Sequence, residues 1–435
     1  MTRRFARFES NAVHRRDFLK AGLAGAAIGG LAHSWTARTA VALPPARDLT
    51  IRKIDRVTVK VPYREIPARN MARELPHWRY SEIFKVHLQS GHVGYGETLL
   101  FYTWDATDDL DVQRAQGKNA AALMWDDQLG AGLQMAMFDA VAKAADVPIH
   151  RLLGNQVHRR TPLSWWNIDT SPEDMAAECR TAYQEGYRAY KTKGRPWFDL
   201  WRQVGMAVRE VPASFKIDMD YNDTLLDAGR AIPILKELEA FPQIDIYETP
   251  ISQFDIAGNR AICQATRVAV AMHYGKPDAA TAIKQGICDG FVIGGGASGL
   301  MMRGAVAAGA EMPFWLQLVG TGITAAWSLH FGGVLSHAKW PAVNCHQLYT
   351  HQLLTNEIEV EDGFAAVPDG PGLGYEIDWD AVERFRVEKP SRRPEPRRLI
   401  ETRWPNGERM YIANNGKVNF MLDVARAGKM PFFRR

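Results

Sequence analysis

Apolar and polar side chains alternate along residues 51–61, and do so again along 82–88 and 93–98. A period of two is that of a strand with one buried face. Ser90-Gly91-His92 supplies a turn between the second and third runs, so the pattern predicts a three-stranded meander. An Ala-rich stretch with helical spacing follows at 133–145 and stops before Pro148. Strands followed by a helix predict a small α+β domain over residues 50–155.

From residue 160 the rhythm changes. Short apolar runs recur at 163–168, 188–192, 215–219, 244–247, 268–272, 290–293 and 314–318. Helical stretches such as 172–185 and 224–238 lie between them. A strand about every 25 residues with a helix between is the signature of stacked βαβ units. With an eighth strand expected near 343–348, residues 160–385 read as an α/β domain of the TIM-type (β/α)7β barrel class. The alternative is an open doubly wound sheet. Gly294-Gly295-Gly296 follows a strand but lacks the GxGxxG spacing of that fold's dinucleotide site, so it reads as a loop. The tail, 390–435, opens with a Pro/Arg-rich segment. It then predicts a hairpin around Asn406-Gly407, packed on the barrel or on a neighbouring subunit.

Charge changes the picture at one end only. The 435 residues carry a net charge of +4, but residues 1–42 alone carry +5, leaving the remainder near −1. A nearly neutral body has no electrostatic footprint for nucleic acid. Residues 1–42 contain Arg15-Arg16-Asp17-Phe18-Leu19-Lys20, then an Ala/Gly-rich run, then Ala40-Val41-Ala42. That order predicts a cleaved twin-arginine signal peptide and a periplasmic location. The apolar run is too short and glycine-rich for a stable membrane anchor. The cysteines Cys179, Cys263, Cys288 and Cys345 form no CxxC pair and read as isolated core thiols.

In a barrel of this type the chemistry sits at the C-terminal ends of the strands. The second strand ends in Lys191-Thr192-Lys193, whose alternation puts both lysines on one face. Two ammonium groups that close repel each other, which predicts lowered pKa values and an amine able to act as base. The third strand ends in Asp218-Met219-Asp220-Tyr221-Asn222 and the fourth in Tyr247-Glu248-Thr249-Pro250. Asp220 and Glu248 thus fall at equivalent ends of adjacent strands, an oxygen pair that suits Mg²⁺. Helix capping is the competing use for Asp220 and Asn222.

These residues resemble those of the enolase superfamily, and within it the mandelate racemase/muconate lactonizing enzyme group, over residues 50–385. Gly94-Tyr95-Gly96-Glu97 resembles a turn of that family's N-terminal capping domain, and residues 139–154 resemble the helix leading into its barrel. Lys191 and Lys193 match its KxK base motif, Asp220 and Asn222 its DxN motif, and Glu248 its second metal ligand. The resemblance implies abstraction of the α-proton of a small-molecule carboxylate, a hydroxy acid or sugar acid. It implies a divalent metal, Mg²⁺ first, that stabilises the enediolate.

Three positions depart from the pattern. The third ligand, acidic in the family, falls on Tyr274, or on His273 with a shift of one residue. An imidazole there suits Mn²⁺ or another borderline metal better than Mg²⁺. Gly294 and Gln317 stand where relatives carry further catalytic groups on the sixth and seventh strands, so the paired Asp–His base is missing. His77, Arg79, Trp165, Asn222 and Gln317 are the residues expected to bind substrate, through stacking and carboxylate pairing. Three readings follow: a one-base lyase or cycloisomerase, a racemase or epimerase, or a non-catalytic binding protein with a degenerate site. A homo-oligomer is expected.

Overall fold

The structure, a computed structural model, describes residues 46–102, 106–394, 398–403, 406–414, 420–430 and 432–433. The expected signal peptide lies outside them. No helix among the described residues is long and apolar enough to cross a membrane.

The meander forms as an antiparallel sheet of Ile51–Lys60, Tyr80–Leu88 and Val93–Leu99, in that order. Helix Ala131–Ala144 lies across it, and the sequence of the third strand explains how closely. A Cβ at Gly94 would stand 2.0 Å from the Ala136 carbonyl oxygen, and one at Gly96 2.0 Å from that of Gly132. Only glycine permits this approach of helix to strand. Tyr95 between them donates its backbone N–H to Asp139 on the helix at 2.8 Å. Glu97, the next residue, is buried and ties the meander to the rest of the chain. Its Oε2 accepts from Thr321 N at 2.9 Å, Thr321 Oγ1 at 3.0 Å and Thr324 Oγ1 at 2.8 Å. These donors open helix Gly322–Val334, so a carboxylate sits where that helix leaves its N–H groups unpaired.

One of the helices not foreseen matters to the site. Glu65–Glu74 follows the first strand, with Pro67 near its start and arginine, asparagine and glutamate breaking its apolar stripe. A 3-10 turn, Pro76–Arg79, then leads into the second strand.

Seven parallel strands follow, each beside its neighbour in chain order: Trp165–Trp166, Ala189–Lys193, Lys216–Asp220, Ile244–Glu248, Ala269–His273, Gly290–Ile293 and Phe314–Leu316. This order, without reversal, is that of a TIM-like barrel and not of a doubly wound sheet. Ala342 bridges Leu163 and Val343 bridges Gln317, both in parallel, so two residues join the outer edges. The eighth strand expected over 343–348 is therefore much shorter. Cys345 takes φ +61° and His346–Leu348 is a 3-10 turn. The first strand likewise spans two residues and not six. The helix expected from 224 begins at Ala228, capped by Asp227. The reason lies just before it: Asn222, Asp223 and Leu226 take φ of +47°, +64° and +69°, which no helix tolerates. They form a loop at the barrel mouth.

One continuous apolar core joins meander, helix and barrel. The tail hairpin pairs Arg398–Arg403 with Arg409–Asn414, as the sequence predicts. Beyond it, helix Phe420–Arg426 packs Met421, Leu422 and Ala425 against Trp197. The tail therefore docks on the barrel of its own chain. The four cysteines are free thiols.

Candidate active site

Strand register builds the site. Lys193 pairs in register with Asp220, and Asp220 with Glu248. Lys191, two residues before Lys193, points the same way. The barrel mouth therefore gathers two ammonium groups and two carboxylates, all buried or nearly so. Lys193 Nζ is ion-paired to Asp220. Lys191 Nζ is ion-paired to Glu248, lies 3.7 Å from Asp220, and donates to Gln317 Oε1 at 3.1 Å. His273 Nε2 stands 3.0 Å from Glu248 Oε1. Asn222 holds Asp220 from its backbone N–H at 2.9 Å.

The electrostatics correct one expectation. Mutual repulsion was to lower both lysines. Burial does work against the Lys191 charge, but Glu248 and then Asp220 outweigh it, and its pKa is raised. Asp220 is held well below the carboxylate range: burial opposes this, and Lys193 and Lys191 override it. Lys191 is thus a fixed positive charge. Lys193 is less enclosed and also lines the cavity.

A chamber of about 190 Å³ opens beside these groups, lined among others by Trp78, Trp166, Lys191, Lys193, Arg195 and Gln317. Trp78 and Trp166 stack at 5.5 Å along its wall. A larger cavity of about 740 Å³ adjoins it, sharing Asn222, Gln317 and Arg426. Of the residues expected to bind substrate, Asn222 and Gln317 line both spaces. The other three do not reach them. Trp165 turns outward, donating Nε1–H to Glu178 at 2.8 Å, and Trp166 takes the inner position. His77 is buried away from the chamber. Arg79 lies over the Tyr63 ring.

Some lining residues went unread in the sequence. Arg195 carried a signal, since Lys191, Lys193 and Arg195 continue one alternation. Glu74, Leu422 and Arg426 carried none, because the helix and tail that bring them had no visible link to the barrel.

A divalent cation does not fit this donor set. His273 reaches Glu248, whereas Tyr274 packs edge-on to Phe291 at 5.3 Å and lines the larger cavity. The third position is therefore an imidazole and not a carboxylate. Each carboxylate already faces an ammonium group, so the charges of Asp220, Glu248, Lys191 and Lys193 cancel. A dication added there would leave a buried excess of positive charge. Among the described residues no three His, Cys, Asp or Glu side chains are grouped to hold a metal.

Comparison with known proteins agrees with this topology. The profile of the family described as "Enolase C-terminal domain-like" matches residues 174–381. An N-succinylamino acid racemase from Thermus thermophilus is 28% identical over 289 residues, covering 64% of this chain and 77% of that protein. An o-succinylbenzoate synthase from Geobacillus stearothermophilus is 26% identical, over 67% of this chain and 81% of that protein. The crystal structure of muconate cycloisomerase from Pseudomonas fluorescens superposes with a TM-score of 0.65 at 20% identity, over 78% of this chain and 99% of that one.

Proposed function

The chain belongs to the enolase superfamily, within its mandelate racemase/muconate lactonizing enzyme group of lyases and isomerases, and from that premise we propose that it removes the α-proton of a carboxylate substrate with Lys193. A β-substituent then leaves, or a ring closes. The substrate class is a hydroxy acid or sugar acid, small enough for the chamber that the two stacked tryptophans wall. Residues 50–155 act as the cap, residues 160–385 as the barrel, and residues 390–435 as a tail.

The observation that carries this reading is the convergence of Lys191 and Lys193 on one chamber, with Gln317 and Gly294 in the places of an opposing base. The Lys193 amine, once its own proton has passed to solvent, accepts the α-proton. The charge that develops on the substrate carboxylate falls beside the Lys191 ammonium, which Glu248 holds in place. Members of this superfamily typically bind a divalent metal such as Mg²⁺. Here the donor set supports a site in which fixed ammonium groups carry the positive charge.

The test is deuterium exchange. The protein is incubated in D₂O with gluconate, galactonate, tartrate or malate and followed by NMR. Deuterium at the α-carbon with retained configuration, or a dehydrated product, is expected from the native chain. Both should vanish in Lys193→Ala. Rapid inversion of configuration would contradict a single base on one face.

A further inference from the structure

Opposite chemistry to that of the lysines enters the same chamber from the N-terminal part of the chain. Glu74 ends helix Glu65–Glu74, is buried, and lines the chamber with Lys191 and Lys193. It is not alone. Arg195 Nη2 lies 3.2 Å from Glu74 Oε2, and Arg195 Nε lies 3.6 Å from Asp169 Oδ1. Arg73 approaches the far side of Asp169 at 3.7 Å. Glu74 and Asp169 thus share one guanidinium, that of Arg195, and both are buried. Burial and the neighbouring Asp169 charge both favour the protonated form of Glu74.

We infer that Glu74 is the general acid of this site, delivering its proton to the group that departs from the β-carbon. This rests on the proposed α-proton abstraction and adds the second partner which the barrel strands lack. The step balances as follows. Lys193 Nζ takes the α-proton, and the C–H electron pair passes into the enediolate. As the Cα=Cβ bond forms, the Cβ–O bond breaks, and the departing oxygen takes the Glu74 proton to leave as water. Lys193 ends protonated and Glu74 ionised, and exchange with solvent resets both.

The surroundings favour Glu74 over Asp169 for this role. Asp169 is held below its ordinary value: burial opposes this, and the Arg195 charge prevails. It already supplies the counter-charge to Arg195. Glu74 is pushed up to about 8, by burial first and by the Asp169 charge second, against the pull of Arg195 and Arg73. A carboxyl that served only to neutralise Arg195 would be held down by it; this one is raised by burial and by Asp169, and it lines the chamber. The basic side chains that share its chamber are Lys191, Lys193, Arg195 and Arg426.

The experiment separates this role from that of the lysines. Glu74→Gln and native protein are compared in D₂O with the same four acids, reading α-exchange and dehydrated product separately. For Glu74→Gln, α-exchange should persist while product formation falls roughly 10²–10⁴-fold. Glu74→Asp should restore part of it. Product formed by Glu74→Gln at the native rate would overturn the assignment. A second measurement needs no substrate: carbon-13 NMR of glutamate-carboxyl-labelled protein. One resonance should titrate near pH 8 in the native protein and be missing in Glu74→Gln. A Glu74 carboxyl already ionised at pH 6 would overturn the assignment. If the native protein exchanges no α-proton from any of the acids, the lysine reading has failed and the general-acid role of Glu74 falls with it; exchange without a product defect in Glu74→Gln overturns the Glu74 role alone.

Discussion

Glu248 has two buried oxygens that accept no hydrogen bond; it is ion-paired with Lys191 and lies 3.0 Å from His273 Nε2. Removing one member of a buried pair strands the other. Glu248→Ala should therefore destabilise the fold by about 3–5 kcal/mol, read from urea unfolding at pH 7. A loss under 1 kcal/mol would mean that water reaches Lys191. The same pairs set two pH limits. Asp220 has a depressed value, so its contribution is complete above the ordinary carboxylate value of 3.8 and is lost as pH falls below it. Lys191 has a raised value, so its contribution is complete below 10.5 and fades as pH rises through the raised one. The residues of this cluster were legible because strand alternation and strand ends can be read from a sequence. Their charge states were not. Repulsion between neighbours is visible in a KxK motif, whereas the carboxylates that outweigh it lie 27 and more residues away.

At the scale of elements, the contact of helix Ala131–Ala144 with the third strand is the tightest fit in the N-terminal part. A side chain at Gly96 would meet a backbone carbonyl, which cannot swing aside as a side chain can. Gly96→Ala should lower stability by about 1–3 kcal/mol or more, seen as a fall in melting temperature. Gly309, at the end of helix Ala297–Gly309, meets nothing within 4 Å of an added Cβ. Gly309→Ala should stay within about 0.5 kcal/mol of the native chain. Equal effects at the two positions would refute the packing argument. The meander and the strand rhythm were legible as periods of two and of about 25 residues. The two short barrel strands were over-read, because an apolar run marks burial and not pairing. The late start of helix Ala228–Leu238 was hidden too, since three left-handed residues precede it and one of them, Leu226, is of a type that disfavours that conformation.

For the whole molecule, the α/β class and the barrel were legible in the sequence, and the docking of distant segments on its mouth was not. Helix Glu65–Glu74 and helix Phe420–Arg426 lie over 100 and over 200 residues from the strand ends they cover, and neither falls within the matched family region 174–381. Yet they supply Glu74, Leu422 and Arg426 to the chamber. The barrel provides the lysines and their counter-charges; the segments packed on it provide the second acid and a wall. The chamber is proposed to remove an α-proton beside the positive charge of its own Lys191 ammonium. This is tested most directly by α-deuterium incorporation in protein stripped of metal by a chelator, with and without Mg²⁺ or Mn²⁺ restored. The account predicts an exchange rate that chelation leaves unchanged and that Lys193→Ala abolishes. Exchange that disappears on chelation and returns only with a divalent cation would contradict it.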